Sequence, residues 1–267
     1  MPNETTSENP MPYAQNGEIS IFYDTYGEPG GPALVFAHGA GGNAASWWQQ
    51  VPVFAADHHV VVFDHRGFGR SRCPPEQQSA AHYESDVVAV MDAAGIDRAV
   101  IVCQSMGGWT GVRMAVYRTD RVQGVLLGNT PGAVRTEVTV ANRRQMAERL
   151  AEAGGLINRA YSAEFAERHP AGAVLYRQIS AFNTQARPNI RDDAVYVEPG
   201  AVKDSGIPFL VLSSDLDPLF PPAVLESVAN DIGAPLKRVA GAGHSTYFEK
   251  PSEFNAIASE FLASVGW

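Results

Sequence analysis

The chain has 267 residues, of which 45% are hydrophobic and 18% charged, so its length and composition are those of an ordinary globular protein. A chain of this length buries roughly 75% of its unfolded surface, so it can form a full core without disulfides or metals. The net charge of −9 and the scattered basic residues argue against a nucleic-acid partner, because such surfaces need clustered Lys and Arg.

The N-terminal segment, residues 1–15, is polar and predicts a flexible tail. It lacks the apolar run of a secretory signal, and no stretch of the chain approaches the roughly 18 apolar residues that span a bilayer. Two cysteines, Cys73 and Cys103, are too few for a disulfide framework and have no metal-ligand spacing. These features predict a soluble, cytoplasmic protein with no membrane contact, and they leave its oligomeric state open.

Short apolar runs alternate with helical segments along most of the chain. Ile19 to Tyr26 alternates in β-fashion and predicts a strand in a hairpin with what precedes it. Runs that are apolar throughout indicate parallel strands buried on both faces, and they lie at 33–37, 60–63, 99–102, 125–127 and 209–212. The predicted helices are about 45–56, 80–94, 106–118, 223–232 and 252–265. This alternation predicts a doubly wound, mostly parallel α/β sheet with right-handed crossovers.

The alternation of strands and helices stops between about Pro131 and Gly200. This segment has no apolar strand run, but it carries helix-forming stretches at 145–153 and 171–186. Such a length is too great for a plain loop. We therefore predict an α/β core formed by 16–130 and 201–267, and a helical cap insertion over 131–200.

The strongest chemical signal is the run VCQSMGG at 102–108, which follows a predicted strand and opens a predicted helix. This is the setting of a nucleophile elbow, where a serine sits on a strained turn and its neighbours two positions away must be small. Gly107 meets that requirement, whereas Cys103 occupies the side where glycine is usual. The sequence predicts Ser105 as a nucleophile, with an ordinary strand–helix turn as the alternative.

A serine hydroxyl needs a base to remove its proton. His244 lies in the run GAGHS at 241–245, between a strand-like stretch and the last predicted helix, and the glycines free the backbone to aim its side chain. We predict it as the general base. Five further histidines lack such a context and are expected to be structural or at the surface: His58, His59, His65, His82 and His169.

The base needs an acceptor that holds its tautomer. Asp215 and Asp217 follow the predicted strand 209–212, and catalytic groups of open α/β sheets gather at the carboxyl ends of strands. Both aspartates have the same parity, so strand alternation does not choose between them. Pro218 biases Asp217 toward an extended backbone, which restricts the direction of its side chain. We predict Asp217 as the acid, with Asp215 capping the loop backbone.

The glycine-rich turn HGAGG at 38–42 follows the predicted strand 33–37. Backbone N–H groups in such a turn, together with the N–H after the nucleophile, can stabilise a developing oxyanion. The predicted donors are the N–H groups of Ala40 and Met106.

Taken in order, these motifs resemble the α/β-hydrolase superfamily: HG at 38–39, DHRGFGRS at 64–71, the Ser105 elbow, Asp217 with Pro218, and Gly243 with His244. The resemblance covers about 17–265 and is nearest to the lactonase and esterase branch that includes enol-lactone hydrolases. It implies the fold, the cap and the triad roles, with no cofactor or metal. It implies cleavage of a small carboxylic ester or lactone through an acyl-enzyme on Ser105. Cys103 and Ser214 depart from the usual glycines, and neither change removes a catalytic group.

Several alternatives stay open. Gly39–Ala44 also fits the pattern G-x-G-x-x-A after a strand, with Asp64 at the end of the next strand, as in a dinucleotide-binding domain. A ligand-binding receptor with an intact triad, an acyltransferase and a carbon–carbon bond hydrolase use the same residues. Candidates for an apolar pocket lining are Trp47, Trp48, Trp109 and Phe182, although such residues are more often core. Arg187 and Arg191 are candidates for binding an acidic substrate, with solvent exposure as the favoured alternative.

Overall fold

The computed structural model describes residues 12–152, 160–183, 186 and 188–267. Its strands are β1 (Tyr13–Asn16), β2 (Ile19–Tyr26), β3 (Ala33–Ala37), β4 (His59–Phe63), β5 (Ala99–Gln104), β6 (Val122–Gly128), β7 (Phe209–Ser214) and β8 (Leu236–Val239). They form one sheet in the order β1-β2-β4-β3-β5-β6-β7-β8. The pairs β1–β2 and β2–β4 are antiparallel, and all later neighbours in this order are parallel. The predicted mostly parallel α/β sheet is confirmed.

The α-helices within the described residues are α1 (Val51–Phe54), α2 (Tyr83–Ala93), α3 (Gly107–Tyr117), α4 (Glu137–Glu152), α5 (Ala163–Arg168), α6 (Pro170–Ala181), α7 (Pro199–Asp204), α8 (Pro222–Ile232), α9 (Thr246–Glu249) and α10 (Pro251–Ser264). The continuous helix predicted over 45–56 is wrong. A 3₁₀ turn at Ala44–Trp47 is followed by the short α1. Pro52 lacks the N–H that a helix through this point requires, so α1 begins just before it.

The prediction of a flexible tail over residues 1–15 is wrong for its last residues, which form an N-terminal hairpin. Residues 13–15 belong to β1, whose pairing with β2 runs from Tyr13 opposite Phe22 to Asn16 opposite Ile19, and residues 1–11 lie outside the described part of the chain. The side chain of Asn16 donates hydrogen bonds to Ser85 Oγ at 2.9 Å and Asp86 Oδ1 at 2.8 Å. Asn16 therefore ties the hairpin to α2, a long-range contact that a polar local sequence does not indicate.

The apolar strands place side chains in a core layer on each face of the sheet. In β3, Val35 joins the layer covered by α2, α3 and α8, whereas Leu34 and Phe36 join the layer covered by α10 and the Ala44–Trp47 turn. All three side chains are completely buried. At roughly 25 cal/mol per Å² of apolar surface, burial on both faces explains why these strands need apolar residues at every position.

The segment 131–200 contains α4, α5, α6 and the start of α7, so the predicted boundary at 200 falls inside a helix. Asn142 on α4 donates a hydrogen bond to Leu219 O at 3.0 Å, and Asn183 donates to Gly42 O at 2.8 Å. These bonds attach the segment to the loops after β7 and β3, at the carboxyl edge of the sheet. None of the helices in the described residues has the length and apolar character to cross a membrane. The cytoplasmic location stays a prediction.

Candidate active site

Ser105 lies between β5 and α3 with a left-handed backbone, φ 49°, which is strained for a residue with a Cβ. Its N–H donates to Gly128 O at 3.1 Å, and this bond fixes the turn against β6. A Cβ on Gly107 would overlap the backbone carbonyl of Ala37 in β3. The helix therefore approaches the sheet closely enough to require glycine there, and the turn projects the serine above the carboxyl ends of the strands.

Cys103, which stands where the elbow usually has glycine, packs against α3. Its Sγ lies 2.5 Å from the position that a Cβ on Gly111 would occupy, so a glycine on α3 provides the space that the thiol fills. Cys103 is completely buried, and burial raises the pKa of its thiol well above the usual range. The thiol therefore stays protonated and supplies no thiolate nucleophile.

His244 is buried and joins the two other predicted residues of the triad. Its Nε2 is 2.8 Å from Ser105 Oγ, and its Nδ1 is 2.9 Å from Asp217 Oδ2. A carboxylate can only accept, so Nδ1 carries the proton and Nε2 accepts from the serine hydroxyl. Gln104 Nε2 donates to His244 O at 3.2 Å, which holds the histidine loop against the elbow. The structure thus brings all three residues together in the tautomer that proton removal requires.

Asp217 is surrounded by donors. Its Oδ1 accepts from the backbone N–H groups of Leu219 at 2.8 Å and Phe220 at 3.0 Å, and its Oδ2 accepts from Asn129 Nδ2 at 3.2 Å in addition to His244. Asp215, by contrast, is exposed and accepts from Gly241 N at 2.7 Å. The carboxylate that contacts the histidine is therefore that of Asp217, while Asp215 caps the loop backbone.

Sequence reasoning missed Asn129, which follows β6. It has a left-handed backbone, φ 52°, and its amide donates both to Asp217 and to Ser214 Oγ at 2.7 Å. Ser214 Oγ in turn donates to Gly243 O at 2.6 Å, next to the histidine. This chain of bonds orients both Asp217 and the loop of His244. The available signal was an asparagine directly after an apolar strand, since asparagine tolerates the left-handed region.

We expect Asn129→Gly to lower kcat about tenfold, because one hydrogen bond to the acid is lost while the left-handed backbone is kept. The measurement is kcat on a small activated ester together with the unfolding midpoint. Asn129→Ala is the companion variant, which loses the same bond and also strains the backbone, so its unfolding midpoint should be the lower of the two. An Asn129→Gly variant with wild-type kcat would contradict the positioning role.

The two predicted oxyanion donors line the same space as Ser105. Within the described residues, neither Ala40 N nor Met106 N donates a hydrogen bond to another protein group. Met106 directly precedes α3, so its N–H lies at the positive end of the helix dipole. His38 fixes the turn that carries Ala40. Its Nδ1–H donates to Gly39 O at 2.8 Å, and its Nε2 accepts from His65 N at 2.9 Å. The two N–H groups are free to bind an oxyanion.

His38 gives the fold a dependence on pH. Burial lowers its pKa from 6.5 to about 4, because the charged ring would lose its hydration there, while the bond to Gly39 O and the charge of Asp64 act in the opposite direction. An unfolded chain binds this proton near pH 6.5, so the free energy of unfolding should fall as the pH drops from 6.5 toward 4, by about 3 kcal/mol. Urea unfolding at several pH values measures this slope. A His38→Asn variant with the same slope would contradict the assignment.

Glu249 on α9 is a buried carboxylate that sequence reasoning also missed. Its Oε1 accepts from Gly243 N at 2.9 Å, and its Oε2 accepts from Ser162 N at 3.0 Å and Ser162 Oγ at 2.6 Å. Burial raises its pKa, while these bonds and His244 act in the opposite direction. Because Ser162 begins α5, Glu249 links the histidine loop to the helical segment 131–200.

A cavity of about 550 Å³ opens beside Ser105 and both oxyanion donors. Of the four aromatic candidates, Trp109 lines it, Trp47 is buried in the core, and Trp48 and Phe182 are exposed. Arg191 also lines it, whereas Arg187 lies outside the described residues. A second cavity, of about 800 Å³, is lined by residues that include Tyr13, Arg70 and Phe182, and it does not reach Ser105.

The dinucleotide alternative is not supported at Asp64. This carboxylate is completely buried and accepts from Ala44 N at 2.7 Å and from the backbone and side chain of Arg70 at 2.8 and 2.9 Å. It therefore stabilises the turn at 64–71 and is not free to bind a ribose. The glycine-rich turn leads into a 3₁₀ turn rather than into the long helix that a dinucleotide site requires.

Comparison with known proteins agrees with this fold. A model of the alpha/beta hydrolase family matches residues 34–257. The structure of Est816, described as an N-acyl homoserine lactone degrading enzyme, is 30% identical, with a TM-score of 0.73 and coverage of 94% of this chain and 100% of that one. The enol-lactonase from Burkholderia xenovorans LB400 is 26% identical, with a TM-score of 0.76 and coverage of 94% and 100%.

Among curated proteins, the carbamate hydrolase candidate RutD of Azorhizobium caulinodans is 33% identical over 119 residues. That match spans 45% of this chain and 44% of the relative, so it covers less than half of either protein. The family match covers most of the chain, and the similarity to Est816 covers nearly all of it. The chain belongs to the α/β-hydrolase family.

Proposed function

We propose that the protein is a serine hydrolase that cleaves a small carboxylic ester or lactone. The observation that carries this proposal is the hydrogen-bonded series from Ser105 through His244 to Asp217, beside two free backbone N–H groups and an open cavity. Two similar proteins support the substrate class, since one is described as an enol-lactonase and the other as degrading N-acyl homoserine lactones.

In the proposed reaction, Ser105 Oγ attacks the carbonyl carbon while its proton passes to His244 Nε2. The carbonyl oxygen becomes an oxyanion that accepts hydrogen bonds from the N–H groups of Ala40 and Met106. The imidazolium, stabilised by Asp217, gives its proton to the leaving alcohol as the carbon–oxygen bond breaks. Water, deprotonated by the histidine, then attacks the acyl carbon, and the serine leaves with that proton.

The segment 131–200 is proposed to act as a cap that selects the substrate. It supplies the wall of the cavity opposite the strand ends, through α4 and the stretch before α7. Contacts there bind remote parts of the substrate, whereas the triad and the oxyanion donors act on the reacting carbonyl.

An organophosphonate tests the nucleophile. We expect one adduct per chain, measured by intact mass, and peptide mapping should place it on Ser105. Ser105→Ala should take up none and should lose hydrolysis of 4-nitrophenyl acetate. An adduct at another residue, or none on folded wild-type protein, would overturn the assignment. Multiple turnovers of the acetate distinguish an enzyme from a receptor that retains its ligand.

A further inference from the structure

The cavity beside Ser105 is positively charged at the side formed by the cap. Arg143 on α4 and Arg191 before α7 both line it. Among the described residues that line this cavity there is no aspartate or glutamate. In a chain with a net charge of −9, two arginines with no carboxylate among the described lining residues are an uneven distribution of charge.

Arg143 is held in place by Tyr196. Its guanidinium donates a hydrogen bond to Tyr196 Oη and stacks over the Tyr196 ring, 4.2 Å from the centroid. Tyr196 Oη donates to Ile190 O at 2.8 Å, which fixes the ring. Arg143 is half-buried, and no carboxylate of the described residues lies within 4.0 Å of it.

Two other arginines at the segment 131–200, one within it and one bonded to its backbone, have carboxylate partners. Arg135 pairs with Asp193 at 3.1 Å, and Arg113 pairs with Glu84 at 3.0 Å. Burial raises the pKa of Tyr196, while Arg143 and Arg191 act to lower it, so both cations lie near this ring. A half-buried guanidinium has five N–H donors, and leaving it without an anion is costly.

We propose that the substrate carries a carboxylate, which binds Arg143 while the scissile carbonyl lies at Ser105. The substrate class is then a half-ester of a dicarboxylic acid. A guanidinium binds a carboxylate through two parallel hydrogen bonds, which explains why a planar, pre-oriented arginine is used. Arg191, which is exposed, adds positive charge at the solvent side. This inference rests on the proposed ester hydrolysis and specifies its substrate.

A matched pair of esters tests the proposal. Mono-4-nitrophenyl glutarate and 4-nitrophenyl valerate share a leaving group and a chain length, and they differ in a terminal carboxylate. We expect wild-type kcat/KM to be at least about tenfold higher for the glutarate. Arg143→Gln should lower kcat/KM about 100-fold for the glutarate and less than about threefold for the valerate, because only the charged ester loses a partner.

The neighbouring Arg144 provides the control, since it is exposed and does not line the cavity. Arg144→Gln should leave both esters unchanged, and Arg143→Lys should recover part of the preference. Because Tyr196 Oη accepts from Arg143, Tyr196→Phe removes one of the contacts that hold the guanidinium, and it should lower the preference for the glutarate by less than Arg143→Gln does. Equal kcat/KM for the two esters in wild type, or equal losses in Arg143→Gln, would overturn the proposal.

A binding experiment with glutarate tests the carboxylate site independently of the proposed ester hydrolysis. Glutarate should raise the unfolding midpoint of Ser105→Ala, and it should raise that of a Ser105→Ala, Arg143→Gln double variant far less. If neither ester is hydrolysed and glutarate still shows this difference, ester hydrolysis is wrong and the carboxylate site stands. If both esters are hydrolysed and glutarate stabilises the two variants equally, the hydrolase stands and the carboxylate site is wrong.

Discussion

Asp217→Asn is expected to lower kcat by about four orders of magnitude, the cost of a wrong histidine tautomer in a comparable triad. The carboxylate accepts on both oxygens, from two backbone N–H groups on one and from His244 and Asn129 on the other. An amide has one acceptor oxygen, so its NH₂ group must face donors on one side. If it faces the histidine, the imidazole proton moves to Nε2 and the ring no longer accepts from Ser105. The measurement is kcat on 4-nitrophenyl acetate, with circular dichroism to verify folding.

Asp215→Asn is the matched control. This carboxylate is exposed and accepts a single backbone hydrogen bond, from Gly241 N, which an amide oxygen also accepts. We expect less than about a threefold loss of kcat, because the tautomer of the histidine is unaffected. If the variant at 215 were inactive and the variant at 217 active, with both folded, the acid would be misassigned.

The second large effect is expected at the elbow. Gly107→Ala would place a Cβ on the carbonyl of Ala37, and a backbone atom in the middle of a sheet cannot move away. We expect it to lower the free energy of unfolding by about 3 kcal/mol, the upper end of overpacking costs, and to remove activity because Ser105 is displaced. Urea unfolding and kcat on the acetate measure the two consequences.

Gly111→Ala provides a comparison with Gly107→Ala, because its Cβ would overlap side-chain atoms rather than backbone atoms. Its Cβ would meet Cys103 Sγ and a methyl group of Val125, which are side-chain atoms. The single variant should be destabilised, and adding Cys103→Gly should restore most of the lost stability, since the sulfur is then absent. Gly107→Ala should gain nothing from Cys103→Gly. A rescue at 107, or none at 111, would contradict this account of the elbow.

The sheet and the proximity of Ser105, His244 and Asp217 could be predicted because their physical requirements are local in sequence. A strand buried on both faces must be apolar throughout, so runs such as 33–37 and 209–212 mark strands directly. A strained serine turn against a sheet requires a small neighbour, which appears as Gly107. The loop glycines around His244 and the proline after Asp217 are also local signals, because the glycines free the backbone and the proline restricts that of the residue before it.

The supporting residues could not be predicted because their partners are distant in sequence. Asn129 contacts an aspartate 88 positions away, and Glu249 contacts a serine 87 positions away. An asparagine after a strand or a glutamate in a short helix is common, and its role depends on which loops the sheet order brings together. Arg143 likewise resembles any surface arginine of a helix until its neighbours are known.

The rate at which a thiol reagent labels Cys103 can measure motion of the strand–helix turn that carries Ser105. Because Cys103 is completely buried and packs against Gly111, a thiol reagent reaches it only when α3 separates from β5. With Cys73 replaced by serine, the labelling rate would report the free energy of that opening under native conditions, provided that the reagent is dilute enough for the rate to be proportional to its concentration. Occupation of the cavity by a ligand that holds Ser105 and Met106 should slow the labelling, so the same sulfur also measures how strongly substrate binding rigidifies the strand–helix turn.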